Sequence, residues 1–86
     1  MSSLLNEQSL TRFERRRQKT RQRLKDAAAV LVVEKGYDAV TIQDITARAD
    51  VGLGTFYLHF RNKEELVWII IREAFEDMER ASRQWL

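Results

Sequence analysis

The amino-acid sequence predicts an all-α fold, and three properties of the chain support that class. Among 86 residues there are no prolines and only three glycines, so few turn formers are available for the many hairpins of an all-β protein. Hydrophobic residues make up 44% and charged residues 33%, which fits a globular domain better than a disordered or membrane chain. Apolar residues also recur at helical spacing. The length suits one small helical bundle with a single core.

The first helix is predicted to carry a basic segment followed by a core face. Thr11 and Glu14 have the spacing of a capping box, although Thr20 is a second possible start. The apolar positions that follow at helical spacing are Leu24, Ala27, Ala28 and Leu31. Gly36 is expected to end the helix as a left-handed C-cap. A buried strand over residues 27–33, which contain three valines, stays open as the less favoured alternative.

Two short helices with a tight turn between them are predicted next. Thr41 and Asp44 have the spacing of a capping box, which predicts a second helix over residues 42–49. The apolar stripe of that helix consists of Ile42, Ile45 and Ala49. Residues 50–52 interrupt the pattern, and a third helix begins near Leu53. The inward-facing positions of the third helix are Phe56 and Phe60.

The fourth helix is long and unusually apolar. Asn62 and Glu65 have capping spacing at its start, and the helix can continue to the end of the chain. Its apolar residues span an arc of roughly 200°, about twice the usual stripe. Within this arc lie Leu66, Val67, Trp68, Ile70, Ile71, Ala74, Phe75, Met78 and Trp85.

Three small helices cannot cover so wide an arc, so part of it is expected to contact a second domain, another subunit or a partner. An ordinary core helix would account for Leu66, Ile70 and Ala74. It would not account for Trp68 and Trp85 together with Ile69, which lies outside the arc.

Charge is separated along the chain although the net charge is only +2. Residues 12–25 hold eight basic residues and one acidic residue, whereas residues 64–86 hold three basic and six acidic residues. A basic end on a small domain is expected for a partner that is a polyanion, such as nucleic acid. A solvated helix face, a disordered segment and a membrane-surface helix stay open as alternatives for the basic run.

The sequence contains no signal for catalysis, a cofactor or a membrane span. There is no cysteine and a single histidine, so neither a thiolate site nor a zinc site is expected. No nucleophile and base pair and no cofactor motif are present, and we expect neither an enzyme nor a bound cofactor. The first ten residues do not resemble a secretory signal, and a cytoplasmic location is expected.

The two short helices and their glycine-containing turn have the pattern of a helix-turn-helix unit in a homeodomain-like bundle. In such a unit the second helix enters the major groove of DNA. The pattern alone is weak, because any three-helix bundle can show it. Residues 53–63 add donors suited to phosphate around the aromatic core positions, namely Thr55, Tyr57, His59, Arg61 and Lys63. His59 as a surface histidine and Tyr57 as a residue at the core edge stay open.

Residues 39–66, AVTIQDITARADVGLGTFYLHFRNKEEL, closely resemble the N-terminal DNA-binding domain of TetR-family transcriptional regulators. The matching features are the threonine that opens the second helix, the Gly-Thr-aromatic-Tyr-x-His-Phe run and the Asn-Lys-Glu-Glu-Leu start of the fourth helix. The Glu-Lys-Gly-Tyr ending of the first helix also matches, and the resemblance covers roughly residues 18–78. Two positions depart from the pattern: Asp50 stands where the family commonly has glycine, and Gly52 where it commonly has serine.

The resemblance implies which residues contact DNA. The expected phosphate contacts are Thr41, Thr55, Tyr57, His59 and Lys63, joined by Arg48 and, on the basic first helix, by Arg16, Arg17, Lys19 and Arg21. The expected base-reading residues are Gln43, Leu53, Gly54 and Thr55. A glutamine amide can pair with an adenine edge, a leucine can pack on a thymine methyl group, and glycine allows a close approach of the backbone.

The same resemblance gives the expected organisation and partners. Residues 1–10 are expected to be disordered, residues 11–65 to form the helix-turn-helix domain, and residues 66–86 to form a linking helix. That helix would lead to a C-terminal domain, absent from this sequence, that binds a small-molecule effector. The expected function is specific binding of double-stranded DNA, a palindromic operator, by a homodimeric repressor of which this chain is a fragment. The alternative is a small interaction module that docks a protein partner through the apolar fourth helix.

Overall fold

The computed structural model describes residues 11–84 and confirms the all-α class and the order of the helices. The α-helices are α1 (Arg12–Lys35), α2 (Ile42–Ala49), α3 (Leu53–His59) and α4 (Lys63–Gln84), and a 3-10 helix (Tyr37–Ala39) lies between α1 and α2. The strand alternative for residues 27–33 is wrong, because these residues lie inside α1. The predictions for residues 1–10 and for Trp85 fall outside the described residues.

Side-chain caps start three of the helices where the sequence predicts them. The Thr11 hydroxyl accepts the Glu14 backbone N–H at 3.1 Å, so α1 begins at the earlier of the two possible starts. Thr41 and Asp44 form a complete capping box, with both bonds 3.0 Å long. At α4 the Asn62 side chain accepts the Glu65 backbone N–H at 2.8 Å. These caps fix the first turn of each helix by satisfying N–H groups that have no partner inside the helix.

The turns at the ends of α1 and α2 require residues that tolerate a positive φ. Gly36 ends α1 as predicted, and its N–H donates to the Val32 carbonyl at 2.9 Å. The predicted left-handed conformation is wrong, however, because Gly36 has φ 85° and ψ 151°, a region that essentially only glycine occupies. Asp50 is in the left-handed conformation after α2, with φ 58° and ψ 51°. Aspartate tolerates this region better than most residues, so it can stand where the resemblance leads us to expect glycine.

The core draws on every helix and on the connection between α1 and α2. Its largest fully buried side chains are Phe56, Phe60, Leu24, Ile45, Leu66 and Val40. All four predicted core residues of α1 are buried, and Ile45 and Ala49 are buried while Ile42 packs at the edge. Burying one such large apolar side chain contributes about 1.5–3 kcal/mol, so these residues dominate the stability of a domain this small.

The long helix α4 buries one face and exposes another. Leu66 is buried, Ile69 and Ile70 pack against the core, and Lys25 of α1 pairs with Glu73 of α4 at 2.8 Å. Two expectations are wrong: Ile69 lies on the core face, and Ala74 is exposed. A set of exposed residues, which we call the apolar stripe of α4, consists of Trp68, Ile71, Phe75 and Met78.

Replacing Gly36 with alanine is expected to lower the free energy of unfolding by about 1–3 kcal/mol, because the added Cβ strains a backbone with positive φ. Beyond the adjacent residues, no atom lies within 4 Å of the Cβ position, so strain and not collision causes the loss. Urea denaturation measures the change. The control is Gly52→Ser, which has ordinary φ and equally open surroundings. It is expected to shift stability by only a few tenths of a kcal/mol. Equal losses in both variants would contradict the strain argument.

Candidate nucleic-acid interface

Helices α2 and α3 form a compact pair whose turn is held by backbone hydrogen bonds. The Val51 N–H donates to the Thr46 carbonyl at 3.0 Å, and the Phe56 N–H donates to the Gly52 carbonyl at 3.3 Å. Phe56 and Phe60, the residue directly after α3, are buried, with ring centroids 5.8 Å apart. Because these two rings point into the core, the opposite side of α3 faces solvent.

Three of the four predicted base-reading positions are exposed, two of them on α3 and one on α2. Leu53 and Gly54 are exposed, and Gln43 is exposed on α2. Thr55 differs from them, because it is half-buried and lines a cleft against α1. The sequence interpretation missed Leu58, which is 71% exposed. Its signal was present, since Leu58 lies four residues after Gly54 and therefore on the same helix face.

Gly54 leaves an open surface at the centre of this exposed side. A Cβ built at Gly54 would meet no atom within 4 Å beyond its chain neighbours and the backbone of its own helix, and the residue has no positive φ. The fold therefore does not require glycine here, since alanine is the better helix former. A missing side chain on an exposed helix permits another molecule to approach the backbone closely.

A cleft of about 310 Å³ between α1 and α3 brings together several predicted phosphate contacts. Its lining residues are Phe13, Arg16, Arg17, Thr20, Thr55, Leu58 and His59. Guanidinium, hydroxyl and imidazole groups thus meet at one edge of the domain, where they can donate hydrogen bonds to an anion. The structure does not bring Lys19 into this cleft, although it is exposed on α1.

Arg21 makes internal contacts instead of pointing into solvent. Its guanidinium donates to the His59 carbonyl at 3.1 Å and lies over the Phe60 ring, 4.5 Å from the centroid. A cation over an aromatic face is attracted by the ring quadrupole, and the hydrogen bond satisfies a carbonyl at the end of α3. Arg21 therefore attaches α1 to the last turn of α3.

Lys63 also makes internal contacts, at the beginning of α4. Its ammonium donates to the backbone carbonyls of Tyr37 at 2.9 Å and Val40 at 3.0 Å. The same nitrogen lies 4.3 Å from the centroid of the Tyr37 ring. An ammonium has three N–H donors, so two of them are committed within the protein.

The remaining predicted phosphate contacts lie on the surface of α2 and α3. Thr41 is exposed at the start of α2, and Tyr57 is 53% exposed. Arg48 is exposed as well and forms a surface ion pair with Glu34 at 3.3 Å. An exposed ion pair of this kind contributes little free energy, so Arg48 can leave Glu34 and turn towards another anion.

Burial and two cations act on the only histidine of the chain. Burial lowers the pKa of His59, and the charges of Arg17 and Arg21 lower it further from its ordinary value of 6.5. Each effect opposes a positive charge on the ring. The imidazole is therefore neutral near pH 7 and has one donor nitrogen and one acceptor nitrogen.

Within the described residues neither a metal site nor a membrane span is found. No group of three metal-ligating side chains occurs between residues 11 and 84. None of the helices in that range combines the length and the hydropathy needed to cross a bilayer.

Comparison with known proteins gives consistent matches. The family model of bacterial regulatory proteins, tetR family, matches residues 24–67, just over half of the chain. The chain is 40% identical over 60 residues to the HTH-type transcriptional repressor DhaR of Mycobacterium sp. (strain GP1), covering 70% of this chain and 30% of DhaR. It is 50% identical over 48 residues to the transposon Tn10 TetC protein of Escherichia coli, covering 56% of this chain and 24% of the TetC protein.

A third relative is the HTH-type transcriptional repressor KstR2 of Rhodococcus jostii (strain RHA1). It is 40% identical over 58 residues, which cover 67% of this chain and 28% of KstR2. The chain spans less than a third of the length of each of these three relatives. No solved structure gives a significant match.

Acidification is expected to destabilise the fold through His59. Because its pKa is lowered in the folded state, the unfolded chain takes up the proton first as the pH falls below about 6.5. The contribution of His59 to stability is therefore lost between that pH and its folded pKa, and it does not change further below the folded pKa. The Asp44 carboxylate, whose pKa is also lowered by its bonds to Thr41, acts only below about pH 3.8.

Thermal melts at about pH 7.5 and about pH 5.5 measure this effect. The control is His59→Gln, whose side chain does not titrate. The melting temperature of the natural chain is expected to fall more between the two conditions than that of the variant. An equal fall in both proteins would contradict the assignment.

Proposed function

This chain belongs to the bacterial regulatory proteins of the tetR family, and we propose that it binds a specific double-stranded DNA sequence as the reading head of a repressor. Membership of this family indicates that the chain is a DNA-binding transcriptional regulator and not an enzyme. The observation that supports specific reading is the exposed side of α3, where Gly54 leaves an open surface while Phe56 and Phe60 are buried. A helix presented in this way suits the major groove.

We assign base reading to residues exposed on α2 and α3. Gln43 would pair with an adenine edge, and Leu53 would pack on a thymine methyl group. Gly54 would allow the backbone of α3 to approach the DNA closely. Leu58 joins this set because it is exposed on the same face. Thr55 is expected to contact a base only at the edge of the groove, since it is half-buried against α1.

Phosphate contacts are assigned to the surrounding donors. They are Thr41, Thr55, Tyr57, His59, Arg48 and Lys63, with Arg16, Arg17, Lys19 and Arg21 on α1. The α1–α3 cleft supports this assignment for Arg16, Arg17, Thr55 and His59, because it places them beside one another. Phosphate contacts fix the position of the protein on DNA and carry no sequence information themselves.

The wider organisation of the regulator is proposed by analogy with its relatives. DhaR and KstR2 are named repressors of more than three times the matched length. We propose that this chain acts within a homodimer on a palindromic operator in the cytoplasm, since one helix-turn-helix unit reads a single half-site. The apolar stripe of α4 would then pack on a C-terminal domain that binds a small-molecule effector. The stripe also favours the second candidate, a module that docks a protein partner.

Salt-dependent DNA binding distinguishes these candidates. The affinity of the chain for duplex DNA is measured as a function of salt, using duplexes recovered from a random pool. A DNA reader is expected to show a linear fall in log affinity against log salt, with a slope of about −0.9 for each phosphate neutralised. Recovery of one preferred sequence would support specific reading. A flat salt response with no preferred sequence would favour the interaction module.

Gly54→Ala is expected to stabilise the free protein and weaken its binding to DNA. Gly54 lies in the first turn of α3, where alanine is favoured over glycine by up to about 1 kcal/mol, and the new methyl group meets open space. In the groove the same methyl would collide, and an overpacking cost of about 1–3 kcal/mol corresponds to roughly 5- to 150-fold weaker binding.

Urea denaturation and DNA titration measure the two effects of Gly54→Ala separately. Ser82→Ala, a helix-favouring change at an exposed position of α4, is the control. It is expected to leave the affinity unchanged. Unchanged affinity in Gly54→Ala would exclude a close approach at this position.

Gln43→Ala and Arg17→Ala are expected to affect binding in different ways. Loss of a base-reading amide changes which base is preferred at one position, by about 1–3 kcal/mol of discrimination. Loss of a phosphate contact weakens binding to all sequences about equally and makes the salt slope shallower by about one. Selection from a random DNA pool with each variant measures both. Uniform loss in Gln43→Ala would remove it from the base-reading set.

A further inference from the structure

The first half of α1 carries a second set of cations besides those that line the α1–α3 cleft. They are Arg12, Arg15, Lys19 and Arg23, and their spacings of three and four residues place them on one side of the helix. We call this set the second basic face of α1. At 3.6 residues per turn it is rotated by roughly 100° from the residues that line the cleft, and it extends over about 16 Å.

The charge of the second basic face is not neutralised by ion pairs. All four of its side chains are exposed. No ion pair within residues 11–84 involves any of them, whereas Lys25 and Arg48 each pair with a glutamate. Between residues 12 and 23 the sequence holds a single acidic residue, Glu14. The face therefore offers its positive charge to a partner outside the described part of the chain.

The cations of this face do not favour the helix that carries them. Residues three and four positions apart are neighbours on a helix, so successive members of the face repel one another. Arg12 and Arg15 also lie in the first turn, where the helix dipole favours acidic residues. Glutamine forms helices about as well as arginine and has no charge. The stability of α1 therefore does not explain the basic residues at these four positions.

The second basic face leads to Arg48, one of the residues to which we assign phosphate contacts. Arg23 and Arg48 line the same shallow cleft between α1 and α2. The acidic residue in that cleft, Asp26, accepts a hydrogen bond from Gln22 at 2.8 Å. Arg48 lies in the last turn of α2. A row of cations thus runs from the start of α1 to the end of α2.

The width of the major groove places the first half of α1 outside the groove that α3 would occupy. Arg21 bonds this half of α1 to the His59 carbonyl, and the α1–α3 cleft continues beside Thr55. The major groove is about 12 Å wide, and one helix with its side chains is about 10–12 Å across. Two helices side by side do not fit. The first half of α1 would therefore lie over a strand that borders the groove, with its second basic face towards the DNA beyond.

Duplex DNA suits this face better than a lipid surface does. A helix that binds to a membrane surface needs an apolar side, and Phe13 is the only apolar residue between positions 12 and 23. A DNA strand presents a regular series of phosphates, and a row of cations can bind them without contacting a base. The combination of many cations with one apolar side chain thus favours a phosphate backbone.

We propose that the second basic face of α1 binds backbone phosphates of the DNA that flanks the half-site read by α3, whatever the flanking sequence. The inference rests on the proposed DNA-binding function and adds Arg12, Arg15 and Arg23 to its contacts. The match to the family model begins at residue 24, so this face lies before the segment that the model describes. It adds affinity without adding base preference.

The test replaces Arg12, Arg15 and Arg23 together with glutamine and leaves Lys19 in place. Affinity of the full 86-residue chain is measured against salt on two duplexes. One is the shortest duplex that keeps the preferred sequence, and the other extends it by arbitrary sequence at both ends. On the extended duplex the variant is expected to have a salt slope shallower by about 2–3, since each lost phosphate contact removes about 0.9. On the short duplex the slopes of the variant and the natural chain are expected to agree.

A matched control removes three charges from another helix. Arg72, Arg80 and Arg83 are exposed on α4, and their joint replacement by glutamine changes the net charge by the same amount. This control is expected to keep the slope of the natural chain on both duplexes. Equal changes in the two triple variants would show an effect of net charge alone and overturn the proposal. An unchanged slope on the extended duplex in the α1 variant would show a merely solvated face and overturn it too.

Two further measurements distinguish flanking phosphates from other partners. Selection from a random DNA pool is expected to return the same preferred sequence for the α1 variant and the natural chain. A changed preference would show base reading by this face and overturn the proposal. Binding to vesicles that contain phosphatidylserine, lost in the variant while its DNA binding is unchanged, would assign the face to a membrane and overturn it as well.

Thermal melts and single variants keep the result interpretable. The α1 variant is expected to melt no lower than the natural chain, because its substitutions relieve repulsion within the helix. A lower melting temperature would contradict the argument that these cations do not stabilise α1. If the triple variant does not fold, each single replacement is expected to make the slope on the extended duplex shallower by about 0.9. No change in any single variant would overturn the proposal.

Failure of the proposed function looks different from failure of this inference. If the natural chain shows no preferred sequence but binds every duplex with a steep salt slope that the α1 variant loses, specific reading fails and the second basic face stands. If the preferred sequence is found and the α1 variant keeps the full slope on the extended duplex, the reading function stands and this inference fails.

Discussion

The candidate interface depends on the burial of two aromatic rings. Helix α3 has only seven residues, and a helix of that length is not stable alone in water. Phe56 and Phe60 compensate by entering the core, where they are 0% and 2% exposed. Their burial fixes the rotation of α3 about its axis, so it also fixes which side chains face outwards. The same burial that stabilises the fold therefore determines the surface offered to DNA.

Sequence reasoning succeeded where the interactions are local. The caps at Thr11, Thr41 and Asn62 each join residues three positions apart, and such spacings can be recognised in the amino-acid sequence. The inward positions of α1 and α3 follow from helical periodicity in the same way. Gly36 shows the limit of local reasoning: its positive φ was expected, but its ψ is set by the 3-10 helix that follows.

Contacts between distant residues could not be predicted. Arg21 and His59 are 38 positions apart, and Lys63 and Tyr37 are 26 positions apart, so no spacing rule joins them. The core face of α4 was misplaced for a related reason. An apolar arc much wider than usual does not reveal which half meets the core. Only the folded structure shows that Ile69 packs against the core and that Ala74 is exposed.

The first buried side chain of α1 is Leu24, and none of residues 12–23 is buried. This half of the helix rises about 18 Å, a rigid arm if it stays helical. Its order depends on intrahelical bonds, the Thr11 cap and the Arg21 contacts more than on a core. A helix–coil equilibrium in this arm would thus set how many of its basic side chains occupy their helical positions at the same time. Warming would unfold the arm before the rest of the domain melts.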